Sequence, residues 1–413
     1  MKRAILLLAL AIPLSIPLSA ADKKNSCLDC HSNLDGAQGK PAKLFKDDVH
    51  KHRGFACADC HGGDPSNDDM TISMSPARGF KGKIPRTAVP QLCAKCHSDA
   101  NLIHKFKPQQ RVDQLAQYVT STHGKQLAKG DTKVANCVDC HGVHDIREVK
   151  DALSPVHPLR LPETCARCHA DDAHMTPYNL PSKQFAEYRT SVHWTALAKR
   201  GDLSAPSCAT CHGNHGAGPP AVGSVAAVCG TCHVLMEDLY AGSPHKPVFT
   251  AMGLAGCVVC HQQHGIQKPT TKMLEGEGTC ATCHQPDSAG GKTAISMARH
   301  LRELENALDR SDRILTTART SGMEVSEALV RQVEARENLI KARVAVHAFR
   351  EDAVAQPVKA GLAIAAETHK AGEAALGERD FRRRGLLFSL GAILLTMIGL
   401  WMAIRAIEDR SKT

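Results

Sequence analysis

The chain has 413 residues, a formal net charge of +9, 18 cysteines and 23 histidines, but only 4% aromatic residues. A chain of that length has room for two or three domains, yet this composition excludes an interior filled by ordinary aliphatic and aromatic side chains alone. Taken at face value, the positive charge suits acidic partners or a membrane surface.

Residues 1–21 read as a secretory signal peptide. Met1-Lys2-Arg3 precedes an apolar run from Ala4 to Leu18 and the small residues Ser19-Ala20-Ala21, with cleavage expected after Ala20 or Ala21. Pro13 and Pro17 break the run and argue against a retained anchor. The mature chain is therefore expected outside the cytoplasm.

Residues 22–290 hold nine copies of Cys-x-x-Cys-His. They lie at Cys27/Cys30/His31, Cys57/Cys60/His61, Cys93/Cys96/His97, Cys137/Cys140/His141 and Cys165/Cys168/His169. Four more follow at Cys208/Cys211/His212, Cys229/Cys232/His233, Cys257/Cys260/His261 and Cys280/Cys283/His284. Two cysteines three apart share one face of a helical turn, so both sulfurs can add to the vinyl groups of one haem while the next histidine reaches the iron. Disulfides, zinc sites and thioredoxin-like pairs also use Cys-x-x-Cys, but none explains a histidine after every pair with no cysteine left over. Nine covalent c-type haems are expected. They also revise the charge: two propionates against one net positive ferric porphyrin bring +9 to about zero, which removes the main support for nucleic-acid binding.

One haem per roughly 29 residues leaves too little chain to fold around each, so the haems are expected to stack and form the core themselves. An internal repeat runs through the region. His123 followed by CVDCHGVH (Cys137–His144) recurs as His193 followed by CATCHGNH (Cys208–His215), and as His245 followed by CVVCHQQH (Cys257–His264). Each copy is a two-haem unit, its second motif starting at Cys165, Cys229 or Cys280. The motifs at Cys57 (CADCHGGD) and Cys93 look like a degenerate copy, and the motif at Cys27 stands alone.

Haem iron has two axial positions and the motif histidine fills one. Nine of the 23 histidines belong to motifs, leaving 14 for nine distal places. His123, His144, His193, His215, His245 and His264 recur with the repeat and are expected distal ligands. For the other three haems the candidates are His50, with His52 competing, His104 or His174, and a histidine of the C-terminal region; His157, between prolines, reads equally well as a turn residue.

Residues 291–384 change to helical periodicity, with helices expected over about 294–319, 325–349 and from 354 onward. A hairpin at Gly322 puts His300 and His347 at one level, and His347 is the preferred ligand. Leu386–Ile404 is a 19-residue run without a charge, long enough to cross a bilayer, so residues 385–405 are expected to form a transmembrane anchor with 406–413 as a cytoplasmic tail. Arg382-Arg383-Arg384 would then lie on the outer side, against the positive-inside tendency, which long exported domains override. About thirty helical residues ahead of the span make a stalk of about 45 Å.

These motifs, the CHGxH segments and the long helices after the last motif resemble the multihaem cytochrome c superfamily of nitrite reductase, hydroxylamine oxidoreductase and octahaem tetrathionate reductase. The resemblance implies haems stacked in parallel and perpendicular pairs, mostly with two histidine ligands. No CxxCK motif of the nitrite reductase type is present, and no catalytic tyrosine can be assigned among Tyr118, Tyr178, Tyr188 and Tyr240. The expected fold is mainly α with extensive loops, a multihaem cytochrome c wrapped around stacked haems, then a long helical hairpin or bundle and one C-terminal transmembrane helix. The expected role is electron relay on the periplasmic side of the cytoplasmic membrane, between a quinol-linked membrane subunit and periplasmic cytochromes or reductases in anaerobic respiration. The alternative is reduction of a small oxyanion such as nitrite or tetrathionate, or of hydroxylamine.

Overall fold

Short helices dominate the motif region because the sequence starts and stops them within one turn. Cys57–His61, Cys137–His141, Cys208–His212 and Cys257–His261 each span one motif. Before Cys137, Asn136 accepts from the Val138 amide at 3.1 Å, while Asp139 accepts from the Asn136 amide at 2.7 Å, a reciprocal N-terminal cap. The residue after the histidine then takes positive φ: Gly62 (71°), Gly142 (83°), Gly213 (79°) and Gln262 (64°). That conformation ends the helix. At Gly62 a Cβ would fall 2.0 Å from the Gly79 carbonyl oxygen, so close backbone approach also demands glycine there.

The computed structural model describes residues 24–410; the expected signal peptide and the last three residues of the tail lie outside the described residues. The fold is mainly α with extensive loops, and no strand occurs among the described residues. The described residues divide into two compact units, one of residues 24–168 and 208–218, the other of 169–207 and 219–410.

The repeat has structural content beyond its motifs. Tyr118, Tyr188 and Tyr240 each lie five residues before His123, His193 and His245. The Tyr118 hydroxyl donates to the Ala135 carbonyl at 2.9 Å and that of Tyr188 to the Pro206 carbonyl at 2.7 Å, each just ahead of a leading motif. Ser121, Ser191 and Ser243, two residues before the histidines, are buried. Ser121 and Ser191 cap the helices that carry His123 and His193. In the degenerate copy Asp48 does the same for His50, accepting from its amide at 2.8 Å. A cross-repeat hydrogen bond recurs as well: Val49 to Ile146 (2.8 Å), Thr122 to Ala217 (3.1 Å) and Val192 to Ile266 (2.9 Å), joining each helix start to the loop after the next leading motif.

Within the second unit, the last motif is followed by three long helices, Ala289–Thr320, Ser326–Ala345 and Glu351–Arg410, here called the first, second and third stem helices. Their buried positions step by three and four: Leu301, Leu304, Leu308, Ser311, Leu315 and Ala318 on the first; Ala328, Gln332, Ala335, Leu339 and Ala342 on the second; Val354, Val358, Gly361, Ala365, Thr368 and Gly372 on the third. This 3.5-residue period is the signature of left-handed coiled-coil packing. One layer is polar: Thr368 donates to Gln332 Oε1 at 2.7 Å, Gln332 donates to Asp312 Oδ1 at 2.9 Å, and the Ser311 and Thr368 hydroxyls meet at 2.8 Å. Gly361 and Gly372 sit against Leu304 and Ile314 side chains, letting the third helix approach the first closely.

The first two stem helices are joined by a Schellman turn, with Gly322 at φ 79° and the Met323 amide on the Ala318 carbonyl at 3.1 Å. The first begins at Ala289 rather than near 294. The second ends at Ala345 rather than near 349, because residues 346–348 tighten to a 3₁₀ turn and Phe349 adopts φ 52°. The third runs through Pro357, which lies in its second turn and does not interrupt it. Arg379 reaches Ser321 at the hairpin tip (3.4 Å), and past this level the third helix continues alone through the apolar run. It is the one helix among the described residues long and apolar enough to cross a membrane, and it spans 60 residues, about 90 Å.

Candidate haem-iron sites

Six histidine pairs face one another at nearly constant separation. Ring centroids lie 6.0 Å apart for His50 and His97, 6.0 Å for His61 and His144, and 6.1 Å for His141 and His215. In the second unit they lie 6.3 Å apart for His193 and His233, 5.8 Å for His245 and His284, and 6.0 Å for His261 and His347. Every pair joins one motif histidine to one outside the motifs. Two imidazole nitrogens bound to one iron at about 2 Å each place the ring centroids about 6.3 Å apart, so these residues fit a six-coordinate haem iron.

The pairs obey a register. Histidines that precede a leading motif face the trailing motif of their own repeat: His50 with His97, His193 with His233, His245 with His284. Histidines that follow a leading motif face the leading motif of the preceding repeat: His144 with His61, His215 with His141. In the last copy this place is taken by His347 of the stem, which faces His261. Ring planes divide in the same way. The three leading pairs are within 11–22° of parallel, whereas the trailing pairs make 87°, 37° and 88°.

Hydrogen bonds at the other ring nitrogen fix which nitrogen is presented. Nδ1 donates to a backbone carbonyl in His31 (Gln38, 3.0 Å), His61 (Gly82, 2.9 Å), His212 (Gly218, 3.2 Å) and His347 (Val344, 2.9 Å). His50 Nδ1 instead pairs with the buried Asp48 carboxylate at 2.9 Å. Each arrangement leaves Nε2 for a metal, with the outer hydrogen bond orienting the ring. Burial lowers the pKa of His97, His123, His144, His193, His215, His245 and His261. His141 is pushed down to about 4, first by burial and then by the charges of His215 and His97. The direction favours the neutral form that ligation requires.

Of the expected distal ligands, His50, His144, His193, His215, His245 and His347 stand opposite motif histidines. His123 and His264 have interaction partners of their own, as do the motif histidines His169 and His212; His264 also lies 3.7 Å from Glu187. His104 is not brought to a motif histidine: it is exposed, and its Nε2, the nitrogen a ligand would use, is hydrogen-bonded to the Gln110 carbonyl at 3.1 Å. His300 likewise commits Nε2 to Glu351 (3.2 Å). His52 is exposed, His174 packs on Tyr178 at 6.0 Å, and buried His157 accepts from the Leu159 amide at 3.3 Å in a turn. The residues that sequence reasoning missed are the supporting ones, Asp48 and the tyrosine–serine–histidine spacing, whose signal was the recurrence of Tyr, Ser and His at fixed offsets.

The motif cysteines also approach one another in order. Cys93 lies close to Cys137, Cys165 to Cys208 and Cys229 to Cys257. Cys57 likewise neighbours Cys27, Cys60 neighbours Cys96, Cys140 neighbours Cys168, and Cys260 neighbours Cys280 and Cys283. Within each unit, neighbours in sequence are thus neighbours in space.

Not every cysteine expected to bind haem is sheltered by the protein. Cys211 and Cys232 are exposed, as are Cys30, Cys60 and Cys283, whereas the first cysteine of every motif is half-buried. Each exposed cysteine is the second of its motif, three residues further along, at or just past the end of its short helix. Near Cys232 the Thr231 hydroxyl lies 4.0 Å from Sγ. The expectation that Cys211 and Cys232 carry thioether bonds therefore rests on motif spacing and not on burial.

No solved structure matches this chain. Residues 49–170, which carry the second to fifth motifs, match the family model described as cytochrome c3, and this segment is accordingly similar to multihaem c-type cytochromes.

Proposed function

We propose that this chain is a membrane-anchored periplasmic electron-transfer cytochrome with nine covalent c-type haems, held by the 18 motif cysteines. It passes electrons between a quinol-linked membrane subunit and periplasmic cytochromes or reductases in anaerobic respiration. The observation that carries the reading is the set of six imidazole pairs at 5.8–6.3 Å. An iron with two histidine ligands has no place for a substrate and changes its ligation little on reduction, which suits it to electron transfer. The sequential meeting of cysteines supports stepwise passage from haem to neighbouring haem, and the third stem helix supports a single-pass anchor.

A pyridine haemochrome assay of the full chain is expected to give nine haems. Low-temperature electron paramagnetic resonance of the oxidised protein is expected to show low-spin signals from at least the six paired haems. High-spin intensity equivalent to more than three haems overturns the relay.

The second reading, a reductase, needs an iron with an open position. One observation favours it at one haem: His31 belongs to none of the six imidazole pairs.

A further inference from the structure

The register of ligands makes a specific demand on the first haem. Each leading motif is faced by the histidine three residues after the motif histidine of the following copy: His144 after His141 faces His61, and His215 after His212 faces His141. The motif that follows the first one is at Cys57, and three residues after His61 the chain carries Asp64. The Cys57 copy therefore places a carboxylate where the later copies place an imidazole.

Asp64 lies beside the first motif. Its charge reaches Cys27 of the first motif, and the next residue, Pro65, accepts from the Ser26 amide at 2.9 Å. The carboxylate is one bond shorter than an imidazole measured to the ligating atom, and Oδ1 is already held by the Ser66 hydroxyl at 2.6 Å and the Ser66 amide at 3.1 Å. His31 has the orientation of a ligand, with Nδ1 on the Gln38 carbonyl. Neither residues 1–23 nor residues 411–413 contain a histidine that could face it.

We infer that the haem at Cys27, Cys30 and His31 has no distal histidine and that its open side, with Asp64 beside it, binds a small neutral diatomic ligand. The carboxylate disfavours an anion there by like charge. This rests on the nine-haem reading, but not on the relay: eight closed haems would carry electrons whether or not the first is open. In the order of neighbouring cysteines the first haem is terminal, so an open position there leaves the path between the others intact.

The test is carbon monoxide titration of the fully reduced, membrane-extracted holoprotein, read as a change in the Soret band. Wild type is expected to bind carbon monoxide, and Asp64→His, with nine haems still loaded, to bind one equivalent per chain fewer and to lose one haem's worth of ferric high-spin signal. If Asp64→His does not load nine haems, Asp64→Ala carries the test: it keeps the bound carbon monoxide but shifts its infrared stretching band, because the carboxylate no longer borders the ligand. No binding by wild type, undiminished binding by a loaded Asp64→His, or an unshifted band in Asp64→Ala overturns the inference. A haem count below nine would instead strike at the reading on which it rests.

Discussion

Asp48 shows how one side chain can set the character of a haem it does not touch. It is 2% exposed and accepts from His50 Nδ1 and from the His50 and Ile146 amides. Burial alone would raise its pKa, but these hydrogen bonds outweigh burial and hold it below the usual carboxylate value. A carboxylate behind an imidazole makes the ring a stronger donor to iron and favours the ferric state. Asp48→Asn is therefore expected to raise the midpoint potential of one haem and leave the others in place, as read by a spectroelectrochemical titration. Acid acts in the same direction. Because the folded pKa is depressed, the stabilisation by Asp48 is present above about pH 4 and is lost as pH falls through the folded value. The low-spin signal of that haem should broaden or vanish first on acid titration, and should do so at higher pH in Asp48→Asn. His347 is the second test at this scale. His347→Ala is expected to add one carbon monoxide-binding haem per chain, whereas His104→Ala and His300→Ala add none, because their Nε2 atoms are engaged elsewhere.

Among elements, the stem helices carry the clearest energetics. Leu304 is fully buried between the first and third, and Leu304→Ala is expected to cost about 2–5 kcal/mol, read as a lowered unfolding midpoint of the stem. Gln332→Ala removes the side chain that links Thr368 to Asp312 across the buried polar layer and is expected to cost about 1–3 kcal/mol. The three helices were legible in the sequence because a sustained apolar period survives any choice of partner. Their ends were less so. The break after Ala345 follows from the left-handed Phe349 and from ring packing of His245 on Phe349 at 3.9 Å, a contact between distant parts of the chain that no local pattern encodes. The ligand pairs divide along the same line. Repetition marked His144 and His215 as candidate ligands, but facing a motif in the previous repeat is a long-range outcome, and sequence could not name the motif each one meets. The two pair classes also predict a spectrum: nearly parallel rings at the leading haems should give rhombic low-spin signals, and the steeply crossed pairs His50–His97 and His245–His284 strongly anisotropic ones.

For the whole molecule, the nine motifs pointed to the cofactor, and the low aromatic content to an interior that side chains alone do not fill. What they left out was order within each unit. Ligand exchange between copies supplies it, and it bears on how the chain is made. On the proposed reading, export would deliver the polypeptide from its N-terminus, so an iron at Cys57 would wait for His144 and an iron at Cys137 for His215, each carried by a stretch that emerges later. A newly loaded leading haem would then be incomplete until the copy behind it arrived. A leading haem at Cys257 would be completed by His347, four residues before the helix that ends in the apolar span. Its closure would precede emergence of the proposed anchor, so a chain released before His347 would carry an incomplete site.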